Sequence, residues 1–281
     1  MCSSDLEDEF DERDCLVARR FRDAQGAHSS WGNVREIRRV CNDWCEPIVE
    51  RHLDRTGSPT KPGLYSPAIT ESTYDAEGLV TRRVCTDGPD NPVDCWFGEP
   101  HDEGSLVTIT YDDKGRQQSQ KGFTSVGVPS RIARNYPHEV RYEYGANGRL
   151  AAKSFFDEAG APALGLGVAR MEFEYDAAGS MTVERSLGIE AGLARPVTGC
   201  ATIRTDYDAK HRTSVLECLG PDLRPAESDL IYRGVAWEGH ASKVVVERDE
   251  RGTARANVYF SPDGDEVGRV DCAGLKAYCY R

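Results

Sequence analysis

The chain lacks several features that would assign it to a class at once. Nowhere in its 281 residues is there an apolar run of about 18, so no helical span of a bilayer is expected. It opens Met1-Cys2-Ser3-Ser4-Asp5 and passes straight into an acidic stretch, without the basic and apolar regions of a secretory leader. Positive charge is scarce. The 35 Lys and Arg residues face 47 Asp and Glu, a net charge of −12, which argues against nucleic acid as the main partner because phosphate binding relies on clustered basic side chains. An acidic surface also resists self-association. There is no Gly-x-Ser-x-Gly elbow, no His-Glu-x-x-His helix and no Gly-x-x-x-x-Gly-Lys-Ser/Thr loop. No catalytic residue, no cofactor and no metal site is therefore assigned.

Glycine and proline are plentiful. With 27 Gly, 14 Pro and 39% apolar residues, the composition is that of a folded chain with a core and many turns. A short phrase recurs: Tyr74-Asp75-Ala-Glu-Gly78, Tyr111-Asp112-Asp-Lys-Gly115, Tyr144-Gly-Ala-Asn-Gly148 and Tyr175-Asp176-Ala-Ala-Gly179. Weaker copies start at Phe10, Cys41, Tyr207 with Asp208, and Arg248. Numbering each copy from its first residue as offset 0, the eight copies hold Asp at +1 in six cases and Gly at +16 in five, often with Pro at +18. Spacings of 31 to 41 residues fall in the range of repeat architectures.

Periodicity within each repeat is two. Met171, Phe173 and Tyr175 alternate with Glu172 and Glu174, and Val140, Tyr142 and Tyr144 alternate with Arg141 and Glu143, which predicts strands with one apolar and one wet face. Asp-x-x-Gly between two such runs is turn chemistry, since Asp bonds nearby backbone and Gly accepts positive φ. Each repeat is then a β-hairpin, and the Gly at +16 with Pro at +18 makes a second turn toward the next hairpin. Val34 to Leu53 holds good helix formers, but the register makes it strand, turn and strand. The expected fold is all-β, an array of about eight antiparallel hairpins in a continuous twisted sheet or solenoid-like structure, with residues 1–9 as an N-terminal tether and 10–281 as a single array.

Ten cysteines are many for a reducing compartment. If the turn is centred on +2, offsets −k and 4+k face each other, which sets Cys200 opposite Cys218 and Cys41 opposite Cys45. Facing strand residues lie within disulfide reach. Proximity adds Cys85 with Cys95 and Cys272 with Cys279. Cys2 and Cys15 remain. They either pair with each other, or Cys2 carries a lipid, as in a mature bacterial lipoprotein whose signal peptide was replaced by a start codon, and Cys15 is the odd thiol. Oxidised cysteines imply export, to the cell envelope or beyond.

Other constellations are weaker. Cys41-x-x-x-Cys45 with His52 offers three metal ligands but lacks a fourth. The Asp clusters Asp87 to Asp94 and Asp263 to Glu266 offer oxygen ligands for Ca²⁺ without the spacing of a calcium loop. The histidines (28, 52, 101, 138, 211 and 240) do not share a repeat position, and His211 occupies a turn-glycine site.

The repeated Tyr-Asp-x-x-Gly with a following Gly near +16 resembles the bacterial RHS/YD-repeat family. The residues that carry the resemblance are Tyr74, Asp75, Gly78, Tyr111, Asp112, Gly115, Tyr175, Asp176 and Gly179, with partial copies at Tyr144 with Gly148 and at Tyr207 with Asp208. The resemblance covers most of the chain and degrades toward both ends. It implies a long twisted antiparallel sheet and a cell-surface or secreted setting. In large members of that family the sheet encloses a toxin. This chain is short, and Ala273 to Arg281 is expected to be a last strand rather than cargo, so that role is not carried over. The expected function is a non-enzymatic envelope or secreted repeat protein, lipid-anchored where Cys2 carries a lipid, that binds a protein or glycan partner, with aromatic surface near Trp44, Trp96 and Trp237. The alternative is a polysaccharide hydrolase using paired carboxylates 5 to 10 Å apart, roughly the separations such enzymes use.

Overall fold

The structure, a computed structural model, describes residues 6–21, 33–62, 66–88, 91–95, 103–196, 199–227, 231–232, 235–236 and 241–271. Cys2, Cys272, Cys279, Trp96 and Trp237 lie outside the described residues, as does the segment 273–281. The chain divides into two compact units, Met1–Arg141 with Asp157–Ala161, and Tyr142–Phe156 with Pro162–Arg281.

The first unit is a meander of antiparallel strands taken in chain order: β1 (Leu6–Phe10), β2 (Leu16–Phe21), β3 (Glu36–Cys41), β4 (Pro47–Leu53), β5 (Ile69–Tyr74), β6 (Val80–Thr86), β7 (Leu106–Tyr111), β8 (Gln117–Phe123) and β9 (Pro129–Ser130). Each strand from β1 to β8 pairs with its successor in the chain, and β8 also pairs with Glu139–Arg141 of β10 (Glu139–Tyr144). The second unit repeats the plan with β11 (Leu150–Phe156), β12 (Arg170–Tyr175), β13 (Met181–Leu187), β14 (Thr202–Tyr207) and β15 (Thr213–Leu219). It continues through β16 (Ile231–Tyr232) and β17 (Val235–Ala236), a ribbon of their own, to β18 (Lys243–Arg248), β19 (Ala254–Phe260) and β20 (Glu266–Asp271). Here too successive strands pair antiparallel, with β15 passing directly to β18. The all-β hairpin architecture is therefore present, and the Val34 to Leu53 stretch is strand, turn and strand.

Two expectations are corrected by the register. Residues 1–9 are not all tether, because Leu6 to Glu9 belong to β1 and pair with β2. The symmetric pairing of −k with 4+k does not occur either. In seven hairpins offset 0 faces +6, and −1 faces +8, leaving one bulged residue at +7: Tyr74 faces Val80 and Thr73 faces Arg82, as Tyr207 faces Thr213 and Asp206 faces Val215. A bulge of this kind adds local twist and sets the register of everything beyond it.

Both turns of a repeat have one geometry. In the first, the amide at +1 donates to the carbonyl at +5 and the amide at +4 donates back to +1, as in Asp112 N to Arg116 O and Gly115 N to Asp112 O. The second does the same at +13 to +17, as in Asp157 N to Ala161 O and Gly160 N to Asp157 O. It closes with +12 bridged to +18, for example Leu53 to Pro59 and Phe156 to Pro162. Every described residue at +4 and at +16 has positive φ, including the non-glycines Asp14, Cys45, His211, Ala191 and Leu223.

Each unit buries the part of its strands remote from the first turn. In the first unit Val34, Ala68, Cys85, Val93, Val107, Ile132 and Val140 are buried. In the second, Cys200, Ile203, Leu216, Cys218, Ala241, Val244 and Tyr259 form one cluster. Apart from the buried Cys15, the first-turn tips are left in water, which is where the repeated phrase lies.

Candidate interaction surface

The repeated phrase is best understood atom by atom. The Asp at +1 is a turn cap. Asp75 Oδ1 accepts the amides of Glu77 and Leu79, Asp112 those of Lys114 and Arg116, and Asp208 those of Lys210 and Arg212. Asn42 does the same for Trp44 and Glu46, so an amide serves as well as a carboxylate. Asp176 caps Ser180 N in the copy at 175.

The residue at offset 0 joins its hairpin to the preceding one. Tyr74 Oη donates to Pro47 O, Tyr111 Oη to Val80 O, Tyr175 Oη to Leu150 O and Tyr207 Oη to Met181 O, at 3.0, 2.9, 2.9 and 2.7 Å. In each case the acceptor is the +6 residue of the previous repeat. Of the three copies without tyrosine, Phe10 starts the first described hairpin, and the other two keep the contact: Cys41 Sγ lies 3.8 Å from Leu16 O, and Arg248 Nη2 donates to Thr213 O at 3.1 Å. The position thus selects a side-chain donor long enough to reach the neighbouring carbonyl, and aromaticity is secondary. Burial pushes the Tyr74 and Tyr111 phenols up from their ordinary value, which keeps them protonated as donors.

A second inter-hairpin contact, not expected from the sequence, sits at the tips. At four junctions the residue at +5 lies over the +4 residue of the next repeat, whereas nothing stands over Gly78. Arg149 Nη1 donates to Gly179 O at 2.5 Å and Arg212 Nη1 to Gly252 O at 2.6 Å. Leu79 packs over Gly115, 3.6 Å from where a Cβ would stand. A Cβ on Gly179 would fall 1.6 Å from Arg149 Nη2, so glycine there serves both the positive φ and the close approach.

The cysteines follow this frame. Cys15 stands at +5 of its repeat and Cys45 at +4 of the next, and their sulfurs are bonded, with Cα atoms 5.0 Å apart. The expected Cys41–Cys45 pair is corrected: Cys41 faces Pro47 across the bulge, Cys45 sits in the turn at φ 65°, and Cys41 is the free thiol among the described residues. The offsets of Cys15 and Cys45, 30 residues apart, were a signal of this. Cys200 and Cys218 are bonded with Cα atoms 5.2 Å apart, but not as facing residues, because Cys218 faces Ile203. Cys85 and Cys95 are bonded with Cα atoms 5.3 Å apart.

Charged rows cross the strands. Arg19 pairs across to Asp8, Arg39 to Glu50, Arg170 to Glu143, Arg185 to Glu174 and Arg269 to Glu247, while Arg141 with Glu139 and Arg170 with Glu172 pair along one strand. Arginine hydrogen bonds hold the carboxyls of Asp8, Glu139, Glu143 and Glu247 below their ordinary value. Arg212 holds Asp208 far below the carboxylate range, with the turn amides adding to it.

The remaining candidates are placed as follows. Cys45 is spent in its disulfide, and His52 Nδ1 lies 3.2 Å from Pro67 O with Nε2 3.4 Å from Glu50, so the three expected metal ligands do not converge. Asp87 is engaged by Lys61 and the Ala68 amide. Among the described residues no three His, Cys, Asp or Glu side chains gather as a ligand set, and no helix is long and apolar enough to cross a membrane. Trp44 is exposed in its turn.

Grooves lie between neighbouring first-turn tips. In the first unit a groove of about 750 Å³ is lined by Asp75, Glu77, Leu79 and Thr81 on one hairpin and Ile109 to Gly115 on the next. In the second unit one of about 560 Å³ is lined by Gly145, Asn147, Arg149 and Ala151 against Phe173, Glu174 and Tyr175. The lining offsets coincide: +1, +3, +5 and +7 of one repeat, and −2, −1 and 0 of the next.

No family model and no curated protein matches this chain. Among solved structures it superposes on a chain of a TcdB2–TccC3 crystal structure with a TM-score of 0.38 and 10% identity, covering 95% of this chain and 13% of that one. A TcdB2–TccC3 structure without the hypervariable C-terminal region gives 0.33 and 11%, covering 98% and 14%. A Photorhabdus luminescens Tc holotoxin pore gives 0.24 and 11%, covering 95% and 13%. The chain spans only 13 to 14% of the length of these structures, and superpositions this loose transfer neither fold nor role.

Proposed function

We propose that this chain is a non-enzymatic, exported repeat protein of the RHS/YD type, a single array of hairpins that presents its sheet and first-turn tips to a protein or glycan at the cell surface. The observation that carries this reading is the recurrence of one groove at equivalent offsets in both units, lined by Leu79, Ile109 and Tyr111 in one and by Ala151, Phe173 and Tyr175 in the other. Repeat arrays bind through extended surfaces built from equivalent positions. The polar groups of the Tyr-Asp-x-x-Gly phrase support it as well, because each described hydroxyl and carboxylate of the phrase discussed above is engaged with backbone. Among the described residues, every carboxylate whose pKa departs clearly from its ordinary value departs downward, whereas a glycosidase acid needs its carboxyl raised. Three bonded cysteine pairs favour an oxidising setting. A lipid on Cys2 is part of the proposal and fits a tethered array.

The test is to incubate the protein with insoluble envelope polysaccharides, reading co-sedimentation and newly formed reducing ends side by side. Retention without reducing ends in molar excess over protein is expected, and so is its loss when Glu77→Lys and Asp113→Lys reverse the charge of the first groove. Multiple-turnover release of reducing ends would overturn the non-enzymatic reading.

A further inference from the structure

Three cysteines meet at the junction of the first two hairpins, and one of them is a thiol. Cys15 is buried, Cys45 is exposed at the tip of its turn beside the exposed Trp44, and Cys41 is half-buried. The Cys41 thiol points at Leu16 O, the residue next to Cys15. Cys15 and Cys41 also hold offsets whose side chains meet at other junctions. At the Tyr175 junction the side chain at +5 lies over the offset-0 side chain of the following repeat, the Arg149 guanidinium carbon being 5.4 Å from the centre of the Tyr175 ring; at the next, burial and then Arg212 disfavour the charge of Arg248. Cys15 is a +5 residue and Cys41 the offset-0 residue that follows it.

We propose that Cys41 and the Cys15–Cys45 bridge form a thiol–disulfide exchange site, in which Cys41 takes over Cys15 and delivers a free thiol to the exposed Cys45. The Cys41 thiolate attacks Cys15 Sγ, the Cys15–Cys45 bond breaks, a Cys15–Cys41 bond forms, and the electron pair leaves on Cys45. The proton lost from Cys41 goes to solvent and an equivalent one protonates Cys45, so no oxidant or reductant is consumed. The hairpins stay cross-linked in both states. What changes is the location of the thiol, from a half-buried position to a turn in open water. There it can attack a low-molecular-weight disulfide, forming a mixed disulfide and expelling one half of that molecule as a thiolate.

The surroundings hold the first thiol in reserve. Burial pushes the Cys41 thiol up, Arg39 and Arg13 favour its thiolate, and Asp11 and Glu46 oppose it. The sites of attack and release then differ in access, since the leaving sulfur is exposed and the attacking one is shielded.

The test uses the full chain with Cys2→Ser, Cys272→Ser and Cys279→Ser. After incubation at about pH 8.5, near the ordinary thiol pKa, without oxidant or reductant, the sample is quenched in acid. It is then unfolded, alkylated with maleimide and mapped by mass spectrometry. A single label per chain divided between Cys41 and Cys45 is expected, as is no label on Cys45 once Cys41→Ser is added. A label confined to Cys41, or one appearing on Cys15, would overturn the proposal. If the triple substitution does not fold, the same comparison of Cys41→Ser with the unsubstituted chain decides it.

Discussion

The Asp208 carboxylate shows how one residue of the phrase combines two jobs. Its Oδ1 accepts two turn amides, and its Oδ2 takes the Arg212 guanidinium at 2.6 to 2.8 Å. The first job needs only an acceptor, which is why Asn42 performs it elsewhere. The second needs charge. Because the folded pKa of Asp208 is depressed, chiefly by Arg212, the stability it contributes is present above its unfolded value of about 4 and is lost as the pH falls below that. Asp208→Asn should therefore lower the urea midpoint at pH 7 while preserving the turn, and its deficit against the unsubstituted protein should narrow steadily between about pH 4 and pH 2. A deficit that stays constant across that range would show that the charge on Asp208 is not involved. The same distinction limits what can be learned from sequence. Tyr and Asp in the phrase are visible as a motif, but Cys41 and Arg248 perform the tyrosine's task with unrelated side chains, and only the carbonyl they reach reveals the equivalence.

At the scale of the hairpin, strand identity and turn positions were legible because period-two alternation and Asp-x-x-Gly chemistry point the same way. The segment Val34 to Leu53 shows the strength of that agreement, since its helix formers lose to the repeat register. Facing partners were not legible, because a bulge at +7 calls for no single residue type: Val17, Ile48, Thr81, Gln118, Thr182, Ser214 and Arg255 occupy it, and only Thr81 and Thr182 are seen to mark it alike, each donating its hydroxyl to the carbonyl at −1. The tip contact between +5 and the next +4 was hidden for a related reason, being made by a disulfide, a leucine and two arginines in different copies. It nonetheless recurs at four junctions, in both units, which is enough to engineer it. Ser180 and His211 occupy +5 and +4 of successive repeats in the second unit, so Ser180→Cys with His211→Cys should close a disulfide equivalent to Cys15–Cys45. Closing a loop of this length should stabilise the protein by about 3 to 4 kcal/mol in the chain-entropy account. Non-reducing peptide mapping should find the 180–211 link, and the gain in melting temperature should vanish in dithiothreitol. Two free thiols at these positions would mean that the tip contact is a property of particular side chains rather than of the repeat.

At the scale of each unit, chain-order pairing makes every hairpin depend on the one before and the one after it. Backbone ladders, the offset-0 donor and the tip contact all act across the same junction, and the meander supplies few long-range alternatives. Stability in such an array is approximately a sum of local terms and nearest-neighbour terms. Removing one donor should therefore weaken one junction and leave others in the unit intact. Tyr111→Phe deletes the hydroxyl that reaches Val80 O and leaves that carbonyl without its donor, a loss of about 1 kcal/mol for a partly buried hydrogen bond. Native-state hydrogen exchange should then quicken about fivefold at the β6–β7 amides, for example Val107 and Ile109, by that energy at room temperature. The β1–β2 amides of the same unit should not change, since two intact junctions, β2–β3 and β4–β5, separate them from the substitution. A uniform rise across the unit would mean that its hairpins open as one cooperative body, and the nearest-neighbour description would fail for this array.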